Sequence, residues 1–542
     1  MKILFWLIIF LSFVNSYSQV LSEPSSSGVY DLLNRLAIKG IIRFNDELKP
    51  LSRIELFNKL LEINLNKVSQ LELEEIKYYK KEFAPELILL EENSEDLLQF
   101  FQFREKTGFR FFLFRDNVFV FNVDPIFGLK AQNRFDEFQT HRWNGLQFYG
   151  YINKNWAFNF YFRDNEEKGG RIDKSKWFSN EQGINISQST SKSFQYVDVR
   201  GQISFSWEKG NITLAKEYIE WGSGISGKLI LSDKAPSFPF IKLELTPANW
   251  LKFVYFHGWL HSALIDSSSV RKTLVYKRDS FSQIEKFIAA HMISIYPTSN
   301  LSISVGESIV YSDHLEFLYF VPILFFRAAD HYLSRDSSNS GDNAQLFFNA
   351  VYKNYDIKTK FYSTLFIDEL SITNLLKGRN LSAVGFTLGI SIIDPIIENS
   401  ELNFEYTRLN PFVYMNSNDA QLYTSHNYQL GHWIGSNADQ FYAEYNQSFL
   451  RGLKLKIFGE YIRKGQRELP EEQYKLPYPS FLYGNQLRMT NLGFKLRYDF
   501  FHNLFSELSF IYSNTSDEEI RRIPTYQLGK KYSFGVSLGY GL

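Results

Sequence analysis

The sequence predicts a mainly β fold: a transmembrane antiparallel β-barrel of about 18 strands behind a small N-terminal helical domain. Three observations lead there. After residue 108, apolar residues recur at every second position through much of the chain. Short and long polar connections alternate between those runs. Aromatic residues make up 17% of the chain, with 52 Phe, 33 Tyr and 9 Trp, which suits the girdles of a membrane barrel.

The first residues set the compartment. Lys2 precedes an apolar stretch, Ile3 to Val14, and Ser16 and Ser18 stand at −3 and −1 of a cut before Gln19. Residues 1–18 therefore read as a secretory signal peptide. The stretch is shorter than the roughly 18 apolar residues an anchor needs. Cys is absent, which excludes disulfides, thiolate metal sites, Cys nucleophiles and a lipidated Cys at the mature end. The next best apolar run, Phe317 to Phe326, contains Pro322 and is too short to span as a helix. Mean hydropathy of −0.25 fits a barrel, whose strands are apolar only on alternate positions. Net charge is zero, so the basic surplus of a nucleic-acid partner is missing.

Residues 19–107 form the expected helical domain. Val29 to Gly40 places Leu32, Leu33, Leu36 and Ala37 on one face and stops at Gly40. Ser52 can cap a second helix carrying Leu56, Phe57, Leu60 and Leu61. Ser69 and Glu72 form a capping box for a third, with Leu73, Ile76 and Phe83, ending before Pro85.

Residues 108–542 form the expected barrel. Leu453, Leu455, Ile457 and Tyr461 alternate with Lys454, Lys456, Phe458 and Glu460. Leu492, Phe494, Leu496, Tyr498 and Phe500 alternate with polar residues or Gly, and Leu504, Leu508, Phe510 and Tyr512 lie opposite Glu507 and Ser509. Tyr532, Phe534, Val536, Leu538, Tyr540 and Leu542 share one face of the last strand, in the manner of barrels inserted by the barrel assembly machinery. Short turns fall near residues 153–155, 208–211, 246–249, 298–300, 353–355, 394–400, 451–452 and 501–503. Long polar stretches lie between them. An even strand number puts both ends, and so the helical domain, in the periplasm. The insertions Ser312–Gln345 and Leu409–Asn437 are expected to plug the lumen.

Several segments resemble Bacteroidetes-type members of the capsule-assembly Wzi-like outer-membrane family. They are YDLLNRLAIKGIIRFNDELKPLSRIEL (Tyr30–Leu56), EYIEWGSGISGKLILSDKAPSFP (Glu217–Pro239), EFLYFVPILFFRAADHYL (Glu316–Leu333), GDNAQLFFNA (Gly341–Ala350) and the stretch Leu409–Tyr445 containing NPFVY and LGHWIGSNAD. The resemblance covers nearly all of the mature chain. It implies an 18-stranded barrel with a periplasmic helical bundle and lectin-like retention of capsular polysaccharide, and it carries over no universal binding residues.

The segment Leu409–Tyr445 is the richest in sugar-binding chemistry. Aromatic faces cover a pyranose C–H face while amides and carboxylates bind hydroxyls. The candidate glycan-binding residues are Asn410, Tyr414, Tyr423, His426, His432, Trp433, Asn437 and Asp439, together with Trp221 as a stacking platform after Glu217 and Glu220. The competing reading is a loop packed in the lumen, with Trp221 in an interface girdle. Asp330, His331, Asp342 and Asn343 make a second polar patch. His426 and His432 are six apart, unlike a helical zinc pair, and neither HExxH nor GxSxG occurs. No catalytic residue, metal or cofactor is expected. The expected protein is a monomeric, non-catalytic attachment protein for surface polysaccharide, seated in outer-membrane lipid. The alternative is a pore or transporter, since a barrel of about 18 strands can hold an aqueous channel.

Overall fold

The computed structural model describes residues 20–541 apart from 91–95, 275–278, 334–341, 371–381, 474, 476 and 520–522. The expected signal peptide lies outside the described residues. Eighteen of the described strands close a ring. In chain order they are β1 (Phe119–Arg134), β2 (Glu137–Ile152), β3 (Trp156–Gly169), β4 (Ser193–Trp207), β5 (Gly210–Glu217) and β6 (Phe238–Ala248). Next come β7 (Leu251–Ile265), β8 (Gln283–Thr298), β9 (Leu301–Ser312), β10 (Asn343–Asn354), β11 (Thr359–Leu370) and β12 (Ser382–Ile393). The last six are β13 (Ser400–Leu409), β14 (Ala438–Leu450), β15 (Leu453–Lys464), β16 (Leu487–Phe501), β17 (Leu504–Asp517) and β18 (Gly529–Tyr540). Each pairs antiparallel with its neighbours, and β18 closes on β1 from Ser533 opposite Arg134 to Tyr540 opposite Phe127.

The alternation places side chains as expected. Ile457, Tyr461, Leu492, Tyr532, Phe534, Val536 and Leu538 are exposed on the outer face. Lys454, Lys456, Lys495 and Glu507 point into the lumen, where they line its cavities. All eight short turns fall at one mouth. At the other mouth, one connection differs from the long loops expected: β1 and β2 are joined by the two-residue turn Phe135–Asp136, both at positive φ. Tyr540 shares the outer face but is covered, its ring stacked 5.5 Å from Phe127 and its hydroxyl 3.4 Å from Asp124.

The helical domain caps the short-turn mouth. α1 (Val29–Ile38) ends before Gly40 at φ 72°. Ser52 accepts from the Glu55 N–H at 3.1 Å to start α2 (Arg53–Leu61). Ser69 and Glu72 close both halves of the capping box of α3 (Gln70–Glu82). The apolar stripes of α1 and α2 meet Ile76 and Phe83 in one core. Leu61 is the exception, left 49% exposed. A fourth helix, α4 (Ala84–Leu90), follows at once, because Pro85 suits a first helical turn, where no N–H partner is needed. The strand Leu97–Arg104, within the span expected to be helical, instead pairs with Gly108–Arg115, and that hairpin joins β1 below the end of β18.

Ion pairs fasten this domain to the turns. Arg35 joins Glu72 at 2.7 Å and reaches Asp394 and the Ser400 carbonyl. Arg53 joins Glu86 at 2.7 Å, and Glu86 accepts from Tyr151 at 2.5 Å. His502, in the turn between β16 and β17, lies 2.6 Å from Glu82 and 2.8 Å from Asp124 through its two ring nitrogens. Burial alone would push this imidazole down, but the two carboxylates outweigh it and raise it to about 9. Arg110, 3.0 Å from Nδ1, is a like charge that the same carboxylates offset.

The described stretch 313–333 of the insertion Ser312–Gln345 does not plug the lumen as expected. It folds over the outer wall. Tyr319, Phe326 and Ala329 cover Tyr255, Phe287, Ala289, Ile309 and Tyr311, which lie on the outer face of β7, β8 and β9. α5 (Phe326–Leu333) belongs to this flap, and Glu307 beneath it accepts from the Phe326 N–H at 2.6 Å. The reason is the wall itself, whose outer face there carries aromatic and small residues that a lumenal loop could not cover. The proposed polar patch lies at the flap's end. Asp342 donates its N–H to Asp330 at 2.8 Å, while Asn343 donates to the Gln421 carbonyl inside the barrel.

The His502 bridge has a pH signature. A pKa raised from 6.5 to about 9 adds stability that is complete below pH 6.5 and is lost as pH rises through 9. The full shift corresponds to on the order of 3 kcal/mol. Thermal melting of the wild-type protein should therefore fall between pH 7 and pH 10, and His502→Gln should flatten that dependence. An unchanged slope in His502→Gln would remove the bridge from the account.

Candidate functional site

Two segments fill one side of the lumen: residues 218–237, between β5 and β6, and residues 410–437, between β13 and β14. They bind each other through backbone and side chains. The Ser232 N–H donates to the Leu430 carbonyl at 2.7 Å. Tyr414 and Tyr423 donate their hydroxyls to the carbonyls of Leu229 and Ile230, at 2.5 and 3.0 Å. Trp433 donates its indole N–H to the Ser226 carbonyl at 2.9 Å. Their apolar residues pack on Phe240, Phe256, Ile288, Met292, Phe347 and Phe366 of the inner wall. The plug also meets the helical domain in mid-barrel, where Leu48–Lys49 pairs antiparallel with Glu220–Trp221.

Buried acids of the wall hold the plug in place. Glu405 accepts from the N–H groups of Ile225 and Ser226, at 2.7 and 3.1 Å, and from the hydroxyls of Ser226 and Tyr362. Asp368 accepts from the Tyr414 N–H at 2.5 Å. Charge-assisted bonds of this kind satisfy carboxylates that would otherwise be costly to bury.

This packing takes up most of the residues singled out from the sequence. Trp221, Tyr414, Tyr423, His432, Trp433, Asn437 and Asp439 are all buried. Trp221 lies edge-on to Phe256 at 5.1 Å, inside the barrel and away from any interface girdle. Asn437 joins two loops, donating to the Gln466 carbonyl and accepting from the Leu482 N–H. Asp439 faces outward and pairs with Arg463. Burial pushes His432 down to about 3 and His426 down to about 4, so both are neutral near pH 7. Asn410 and His426 are partly exposed. His426 and Asn427, both at positive φ, form the two-residue turn of a small hairpin, and the His426 ring stacks on His261 at 3.9 Å.

The opposite side of the lumen is polar and contains space. A cavity of about 270 Å³ lies against the helical domain, lined in part by Arg200, Glu217, Lys454 and Arg497. A second, of about 350 Å³, shares Arg200 and Glu217 with it. A third, of about 260 Å³, shares Asn180, Phe458 and Lys495 with the second and lies toward the long-loop mouth. Trp433 lines this third cavity beside Phe178, edge-to-face at 5.5 Å, with Lys130, Arg134, Glu460 and Lys495 around them. Lys234 holds the neighbouring segment by donating to the carbonyls of Lys176, Ser179 and Glu181. Burial lowers this ammonium to about 8.

Of the residues expected from sequence, only Trp433 lines this third cavity. Phe178 was missed, although the pair Trp177-Phe178 stands out within the polar stretch Asp164–Lys192. The charged wall residues were legible only as the polar side of alternating strands. Among the described residues, no cluster of His, Asp and Glu is arranged to hold a metal.

The sequence model described as capsule assembly protein Wzi matches residues 178–515. No curated protein sequence matches the chain. Among solved structures, the chain is similar to Wzi of Escherichia coli, described as a carbohydrate-binding β-barrel of the outer membrane involved in group 1 capsule assembly. The identity is 13%, with 97% of this chain and 100% of that one covered at a TM-score of 0.55, a likeness of fold. OprD of Pseudomonas aeruginosa (12% identity, 78% and 95% covered, TM-score 0.40) and OccAB1 of Acinetobacter baumannii (10%, 78% and 96%, 0.44) align more loosely. With well over half of its length matched by the family's sequence model, the chain belongs to the Wzi capsule assembly family.

Proposed function

We propose that this outer-membrane barrel binds a surface polysaccharide and holds it at the cell surface, without catalysis. The observation that carries the reading is the third cavity. It sets two aromatic rings, Trp433 and Phe178, among charged and amide side chains at the long-loop end of the open, polar side of the lumen. Rings of this kind cover sugar C–H faces, and the mixed charges suit hydroxyls and carboxylates. Asn410 and His426, partly exposed near the same mouth, extend the surface a polymer would meet. The carbohydrate binding attributed to Wzi of Escherichia coli supports the reading.

In this reading residues 1–18 direct export, the barrel assembly machinery inserts the chain through β18, and the helical domain faces the periplasm. The long loops then face outward, as in bacterial barrels generally. The protein acts as a monomer surrounded by lipid. The chain of cavities along the polar side favours a second reading, a narrow pathway for solutes.

Two measurements separate these. Burying one ring on a sugar face contributes about 1–2 kcal/mol, so Phe178→Ala should weaken binding of isolated surface polysaccharide about tenfold. On whole cells avidity will mask part of that loss, and the shed fraction should rise most in Phe178→Ala combined with Trp433→Ala. Full retention by the double variant would overturn the site. In planar bilayers the wild-type protein should show little ion conductance, because the plug and helical domain obstruct the lumen. Steady open-channel currents would favour the pathway reading.

A further inference from the structure

The barrel wall contains a window. β4 pairs with β5 no farther toward the long loops than Gly201 opposite Lys216. Above that, the short strand Ile186–Ser189 takes over, beginning at Tyr196. Between the two, Val197–Arg200 has no neighbouring strand on that side among the described residues. Across the gap, β6 starts only at Phe238, opposite Glu217. The wall is thus interrupted for four residues, about 13 Å of strand. A cavity of about 490 Å³ occupies the interruption.

Its lining comes from both sides of the wall. Val197, Val199 and Lys216 belong to the outer face, where Val197 is 41% and Val199 37% exposed. Lys176, Glu181 and Tyr196 belong to the lumenal side, and Lys176 and Glu181 also line the third lumenal cavity. The window therefore joins the lipid-facing surface to the polar lumen. Below Lys216 on the same face of β5 stand Leu214 and Ile212, 53% and 48% exposed. Beside Val197 in register, on β3, is Asp164. The window thus sits where the apolar band gives way to polar residues, the depth of lipid head groups.

Its lining carries three cations, Arg163, Lys176 and Lys216, against two carboxylates, Glu181 and Asp198, and Asp198, opposite Arg163 in register, is bound by Arg200 at 3.3 Å. Lys216 donates to the Val199 carbonyl and the Ser237 hydroxyl, each at 2.7 Å, both neutral. The Nε of Arg163 is buried without a hydrogen-bond partner. Among the described residues, neither cation has a carboxylate within ion-pair distance, whereas Lys176 is balanced by Glu167 and Glu181.

The geometry points to a lateral binding site for an anionic glycolipid of the membrane leaflet on the long-loop side. Its acyl chains lie along Val197, Val199, Leu214 and Ile212, its phosphate meets Lys216 and Arg163, and its saccharide enters the window toward His426 and the lumen. The site rests on the orientation proposed above for its choice of leaflet and is independent of polysaccharide retention.

The test uses the full-length protein in detergent, where leaflet and capsule play no part. Lipid A, an acylated diglucosamine bisphosphate, is titrated and bound lipid counted by native mass spectrometry. Lys216→Gln and Val197→Trp, the latter filling the window, should each weaken binding about tenfold, in line with the loss of one charge-assisted contact. Lys216→Arg should keep it, which separates a lost contact from a misfolded barrel. Phosphatidylglycerol, anionic but without sugar, should displace lipid A poorly, and inorganic phosphate should not displace it. Wild-type binding by both Lys216→Gln and Val197→Trp overturns the site, as does equal competition by phosphatidylglycerol, the mark of ordinary surrounding lipid. Displacement by inorganic phosphate alone overturns it in favour of a soluble-anion site. Failure of the orientation would instead show in surface labelling of cells and leave these affinities unchanged.

Discussion

Closure of the strand ring governs everything else in this protein. A bilayer core offers backbone groups no water, so each N–H and C=O at that depth must find a partner within the protein. The pairing of β18 with β1 meets that demand and leaves no free edge along most of the wall. It also creates a new problem. A ring of eighteen strands encloses more space than its inward side chains can fill. The inward faces of β6 to β12 carry Phe240, Phe256, Ile288, Met292, Phe347 and Phe366, which would be exposed in an empty channel. The plug segments exist to cover them, and their own backbone then needs the acceptors that Glu405 and Asp368 supply.

The lumen is divided accordingly. Under β6 to β12 it is packed like the interior of a soluble protein. Under β14 to β18 and β1 to β4 Lys, Arg, Glu and amides join fewer apolar residues on the inward face, and the space between them stays open. The functional reading follows from that division, since the polar side has the room and the chemistry for a hydrated polymer.

Much of this was legible in the sequence. Period-two runs in β15 to β18 are clean because one face meets lipid and the other meets polar space. The turns follow from the polar residues between runs, and the helix caps from Ser52, Ser69 and Glu72. Legibility failed where both faces of a strand are covered. In β8, Phe287, Ile288, Ala289 and Ala290 are all buried, because the flap lies on one side and the plug on the other. The direction in which a long insertion folds was equally hidden. Ser312–Gln345 and Leu409–Asn437 are both aromatic and polar, and only the wall residues opposite them decide between outside and inside. The buried residues of the 409–445 stretch looked like a sugar site for a related reason. Tyr, His, Trp and Asn serve equally well to satisfy a plug, and sequence alone does not report burial. The aromatic strand Leu97–Arg104 was missed because helices precede it without a break in polarity strong enough to mark the change.

The small pairing of Leu48–Lys49 with Glu220–Trp221 gives the molecule a mechanical axis. A chain of direct contacts runs from the long-loop mouth to the short-turn mouth: the 414–433 stretch holds Leu229 to Ser232, Leu231 pairs with Trp221, and Trp221 pairs with Leu48 beside α2. A polymer tethered at one mouth, as proposed above, would pull on that line whenever shear dragged on the cell. Tension entering the plug would pass to the helical domain, and the contacts of Arg35, Glu86 and Glu82 with Asp394, Tyr151 and His502 would spread it over separate turns of the barrel. The helical domain would then work as the stop at the far end of a cord, too broad to be drawn through the ring it caps.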